Sequence, residues 1–72
     1  MTPAQSKMAR VGLKWTTDDL ARNARVDRMT VARFERGDTV VETSVTKMRD
    51  VLTTAGGHFT QKAGKVGVAV PE

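Results

Sequence analysis

The sequence predicts a mainly α fold, with four short helices followed by a C-terminal β-hairpin or strand. Three observations carry this. Apolar residues recur at helical spacing in four segments before residue 56, each with its own start or stop signal. From His58 onward the period changes to two, and Val66, Val68 and Val70 fall on one face. The chain has 72 residues, which is one domain of a size at which a single core supplies roughly 3–5 kcal/mol.

Thr2-Pro3 starts the first helix, with Thr as N-cap and Pro at the first helical position. Ala4, Met8, Val11 and Trp15 follow as its apolar stripe, and Gly12 weakens its end by about 1 kcal/mol relative to Ala. Thr16 caps the second helix, where Asp18 and Asp19 suit the positive end of the dipole. Asp19 stands where a capping box prefers Glu or Gln. Leu20, Ala21 and Ala24 form the buried side, and the helix stops near Ala24-Arg25. Asp27 caps a third helix over about 28–36, which Gly37 ends. Val31 and Phe34 face inward there, leaving Arg28, Met29, Thr30, Arg33 and Arg36 to the other faces. Thr43 or Ser44 caps a fourth helix over about 45–55, with Val45, Met48, Val51 and Leu52 inward and Gly56-Gly57 at its end. In the tail, residues 58–61 and 66–70 are strand candidates, with 62–65 as the turn and Pro71 closing the run.

Composition narrows the function. With no cysteine there is neither a disulfide frame nor a thiolate zinc site, and the lone His58 excludes a multi-histidine metal site. No metal or cofactor is expected. No apolar run approaches the ~20 residues of a membrane span and no signal-peptide core is present, so the expectation is a cytoplasmic chain with no membrane partner. Asp18 and Asp19 are better explained by helix capping than by acid/base chemistry, and an enzyme is not expected. The net charge of +4 hints at an anionic partner. Its placement says more. Between Ala21 and Gly37 five arginines face two acids, whereas residues 38–55 are net −1. Arg has a planar fork that grips a phosphate or a guanine edge bidentately.

The second and third helices, joined by three residues, read as a helix-turn-helix over about 16–37. Ala21 supplies the small residue at the crossing, and Leu20, Ala24, Val26, Val31 and Phe34 hold the pair together. The segment from Trp15 to Ala24 resembles the first half of the XRE-type (Cro and phage-repressor) helix-turn-helix. The segment from Val26 to Gly37 resembles the second half, down to the closing Phe-Glu-Arg-Gly. More loosely the resemblance covers the whole chain, through Lys14-Trp15-Thr16, Ala55-Gly56-Gly57-His58-Phe59 and the tail from Gly64 to Val70. Two positions depart from the family: Arg25 stands where the turn usually has Gly, and Asp27 where Ser or Thr is usual.

The resemblance implies a four-helix lambda-repressor-like DNA-binding domain over residues 1–57. It places Arg28, Met29 and Arg33 at base-reading positions, with Thr17, Thr30, Arg36 and Thr39 near the DNA backbone. Arg28 and Arg33 suit guanine O6 and N7, and Met29 suits a thymine methyl. Trp15 reads as a helix-junction plug, His58 as structural or solvated, and Glu35 as a helix-end interaction.

The tail, 58–72, either packs on its own helices or pairs with a second copy. The second is favoured, because a lone hairpin is marginal and its open edge invites another strand. Phe59, Val66, Val68 and Val70 are then the expected dimer residues. The expected function is a bacterial or phage transcriptional regulator, a repressor or autoregulator, binding a palindromic double-stranded operator as a homodimer. Two alternatives remain: an antitoxin that neutralises a toxin and represses its own operon, and an excisionase-like architectural protein. A toxin or RNA polymerase is the protein partner these readings allow.

Overall fold

The computed structural model describes all 72 residues. Four helices come first: α1 (Pro3–Gly12), α2 (Thr17–Ala24), α3 (Arg28–Arg36) and α4 (Glu42–Thr54). Strands β1 (His58–Lys62) and β2 (Lys65–Ala69) follow and pair as a two-stranded antiparallel sheet. No helix is long and apolar enough to cross a membrane.

One core joins the four helices. Ala9, Leu20, Ala21, Ala24, Val31, Phe34, Met48 and Leu52 are buried in it, and Trp15, Val26, Val45, Val51, Phe59 and Val68 pack around them. Alanines at 9, 21 and 24 let the helix axes approach closely, while Leu20, Met48 and Leu52 fill the space between.

The helix starts follow from local chemistry. Thr2 and Gln5 form a full capping box on α1. Thr16 and Asp19 form another on α2, so the shorter Asp closes the box that Glu or Gln usually closes. Asp27 caps α3 through the Met29 N–H at 2.7 Å. The fourth helix differs from expectation. It begins at Glu42, with Val41 as an N-cap that makes no side-chain hydrogen bond. Thr43 and Ser44 therefore lie inside its first turn rather than capping it. The packing of Val45 and Met48 sets this helix's position, and its first turn extends beyond the best available cap.

All four helices end the same way. The bonds Trp15 N–H to Arg10 O, Val26 N–H to Ala21 O, Asp38 N–H to Arg33 O and Gly57 N–H to Leu52 O each close a six-residue loop at 2.8–3.0 Å. Each spans a residue with positive φ, the Schellman arrangement. Gly37 and Gly56 fill that position in α3 and α4, but Lys14 (φ 62°) and Arg25 (φ 58°) fill it in α1 and α2. A side chain in this region costs about 1–2 kcal/mol, part of which the greater chain entropy of an unfolded glycine offsets. Lys14→Gly and Arg25→Gly are therefore each expected to stabilise the fold by about 0.5–1 kcal/mol, raising Tm by several degrees. Arg25→Ala, which keeps a Cβ, should give no comparable gain. Equal melting shifts for Ala and Gly would show that charge, not backbone conformation, sets the cost.

α1 corrects the expected apolar stripe. Its buried residues are Gln5, Ser6 and Ala9, whereas Ala4, Met8 and Val11 are exposed. The inward side meets a carboxylate of α3 and the backbone of the hairpin, so polar side chains belong there. Gln5 holds both ends: its Oε1 accepts from the Thr2 N–H at 2.9 Å, and its Nε2 donates to Thr60 O at 2.9 Å and Gly67 O at 3.2 Å.

The hairpin turn is tighter than expected. Lys62 and Lys65 already pair as strand residues, leaving only Ala63-Gly64 as the loop. Both loop residues have positive φ (52° and 75°), as a type I′ turn requires. Phe59 lies opposite Val68, so their side chains share a face, and both pack on the chain's own core. Val70 lies against Gly12 of α1. Val68 and Val70 thus pack on the chain's own helices, the arrangement that the sequence disfavoured, while Val66 stays half-exposed.

Candidate nucleic-acid interface

The α2–α3 pair is joined by Arg25, Val26 and Asp27. The left-handed turn at Arg25 reverses the chain, Val26 drops toward the core, and Asp27 starts α3. Val31 and Phe34 fix the inward face of α3. At 100° per residue the opposite face carries Met29, Ala32, Arg33 and Arg36, all exposed. Met29 is 51% exposed and is not a core residue. Arg28 sits at the first position of α3, on the flank of this face. Thr17 opens α2 and Thr30 lies in the first turn of α3, both half-buried, while Thr39 is exposed just beyond α3. The structure thus gathers Arg28, Met29 and Arg33 on one exposed helix, with Thr17 and Thr39 on neighbouring segments.

Two side chains of α1, Ser6 and Arg10, set how α3 stands. Arg10 donates from Nε to both Glu35 oxygens (3.3 and 3.1 Å) and from Nη2 to Oε1 (2.9 Å), and its Nη1 reaches the Trp15 carbonyl (3.0 Å). Ser6 Oγ donates to Glu35 Oε2 at 2.9 Å. The Arg10 and Glu35 side chains are only 12% and 9% exposed. Glu35 therefore makes a cross-helix clamp rather than a helix-end interaction. Periodicity alone does not find Arg10 or Ser6. The available signal was their i, i+4 spacing, which puts a guanidinium and a hydroxyl on one face.

Most other arginines near α3 have exposed carboxylate partners. Arg28 Nη1 lies 3.9 Å from Asp18, Arg36 Nη2 2.6 Å from Asp38, and Arg22 Nη2 2.6 Å from Asp19. Pairs this exposed add little to stability and exchange readily for another anion. Arg25 and Arg33 have no carboxylate within 4 Å. Arg33 is thus the guanidinium on α3 that is free in the isolated chain.

The Asp19 carboxyl is held below its usual range. The Thr16 backbone N–H, donating at 2.8 Å, is the main cause, helped by the Thr16 hydroxyl and the Arg22 guanidinium. A carboxyl lowered on folding adds stability above its unfolded pKa and loses it as pH falls through the folded value. The start of α2 should therefore be insensitive to pH near neutrality and open only in acid.

The fold also redistributes the charge. Residues 18–50 hold seven cations and seven carboxylates, so the whole helix-turn-helix and α4 region is neutral. The positive excess belongs to residues 1–17 and 51–71, which carry five cations and no carboxylate. The net +3 between Ala21 and Gly37 is offset by acids just outside it, Asp18, Asp19 and Asp38, which lie against its arginines.

No family model matches the chain, and no curated protein matches it either.

Proposed function

We propose that this protein is a sequence-specific, double-stranded DNA-binding transcriptional regulator of the XRE type, with a lambda-repressor-like fold. The observation that carries the reading is the exposed face of α3. It presents Met29, Arg33 and Arg36 opposite the buried Val31 and Phe34, on a helix set across a three-residue turn from α2. A helix offered this way fits the major groove. Arg33 is the residue best placed to grip guanine O6 and N7, because no carboxylate competes for it. Arg28 joins it once DNA displaces the weak pair with Asp18. Met29 packs against a thymine methyl, and Thr17, Thr30, Arg36 and Thr39 contact phosphates or sugars.

A helix-turn-helix with a net charge of only +1 over residues 16–37 supports specificity over indiscriminate attraction. Non-specific affinity grows with unpaired positive charge, and here most arginines carry their own counter-charge. One such helix reads few bases, so binding to an inverted repeat as a homodimer is part of the proposal. The open edges of the two-stranded sheet and the half-exposed Val66 are what the tail leaves for a second copy.

Selection of bound duplexes from a random pool at two salt concentrations tests this directly. It should return a half-site with guanine, repeated with two-fold symmetry about one helical turn apart. Arg33→Ala and Arg28→Ala should each weaken binding to that site by about 1–3 kcal/mol and relax discrimination at one base position. A pool that enriches nothing, or an unchanged affinity for Arg33→Ala, sinks the proposal.

A further inference from the structure

We propose that the outer face of α1 is a docking surface for an acidic amphipathic helix of another protein. The inference uses neither α3 nor its arginines and stands apart from the DNA reading. Its first basis is the outward turn of the α1 apolar stripe. Met8 is 42% and Val11 57% exposed, and with Ala4, Lys7 and Gly12 they line a shallow groove of about 590 Å³. The polar residues that an amphipathic helix usually shows to solvent are here buried against Glu35 and the hairpin.

The second basis is charge. Lys7 lies in the lining of the groove itself, and Lys14 follows just past the helix's end. Neither lysine has a carboxylate within 4 Å. Lys7 has none nearby in sequence either, since residues 1–17 contain no acid.

Together these features select the occupant. A second copy docking α1 on α1 would bring Lys7 and Lys14 toward like charges with no acid between them. A nucleic-acid backbone would satisfy the lysines but leave Met8 and Val11 against phosphate. A lipid surface needs a helix free to sink into it, whereas α1 is fixed by Gln5, Ser6 and Ala9. A helix with apolar anchors every three to four residues and Asp or Glu beside them meets both demands.

The test titrates the full-length, isotope-labelled protein with a synthetic peptide of about 15 residues, Leu along one face and Glu elsewhere, matched to α1 in length. Backbone amide shifts should map to α1 and spare α3. Affinity should fall at least about tenfold in the doubly substituted Lys7→Glu, Lys14→Glu chain, and again in Val11→Asn. These side chains are exposed, so unchanged melting curves would confirm that the variants fold. Equal binding of a peptide with Gln in place of Glu would overturn the inference, as would shifts on α3 or none at all. Stronger binding to phosphatidylglycerol vesicles or to random duplex DNA at this face would also overturn it. So would a dimer in sedimentation that Val11→Asn dissolves.

Discussion

Replacing Glu35 with Ala is expected to cost about 3–5 kcal/mol of folding stability, the range for removing one partner of a buried ion pair. A domain of this size has on the order of 3–5 kcal/mol from its core, so the variant should be largely unfolded on modest warming. The reason is the charge left behind. Arg10 donates three bonds to Glu35 from a side chain 12% exposed, and without its partner the guanidinium is desolvated and unpaired. Ser6, fully buried, loses its acceptor as well. The double variant Arg10→Met, Glu35→Leu should recover much of the loss, because it removes both ions. Urea unfolding of the two single variants and the double one closes the cycle. A loss below about 1 kcal/mol for Glu35→Ala would mean that the pair behaves as a solvated surface bridge. The proposed DNA binding should fall with it, since this clamp ties α3 to α1.

Gln5→Glu should cost about 2–4 kcal/mol, although Glu is a favoured residue in a capping box. The substitution keeps the acceptor that takes the Thr2 N–H but loses the Nε2 donor shared by Thr60 O and Gly67 O. Two bonds vanish, and a carboxylate 5% exposed in its parent residue faces carbonyl oxygens. The loss should be local first. Amide hydrogen exchange is expected to quicken in β1 and β2 before α2 to α4. Acidification, which protonates the new carboxyl, should return part of the stability. If exchange rose uniformly, Gln5 would be acting through α1 alone and not as the pin of the hairpin.

These two residues mark the limit of what sequence reading reaches. α2 and α3 were legible almost to the residue, because Thr16, Asp27, Gly37 and the spacing of Leu20, Ala24, Val31 and Phe34 act within a turn or two of where they stand. The outward placement of Arg28, Met29 and Arg33 was legible for the same reason. The orientation of a side chain on a short helix follows once two buried positions are known. α1 was read with the wrong face inward, because its burial is decided by Glu35, about 25 residues away, and by a hairpin over 50 residues away. The start of α4 was misplaced because the helix runs a turn further back, to Glu42, whose charge suits the positive end of the dipole.

By itself, the sequence determined the four helices, the hairpin and the outward set of Arg28, Met29 and Arg33. Caps, turns and periodicity are local interactions, and local interactions are written in neighbouring letters. Only the tertiary structure decided which arginines are neutralised, that Glu35 is a clamp, that the tail rests on α1, and that Ala4, Met8 and Val11 face outward. Each of those depends on which distant groups meet. A buried polar group goes where its partner is, and periodicity carries no record of the partner's position.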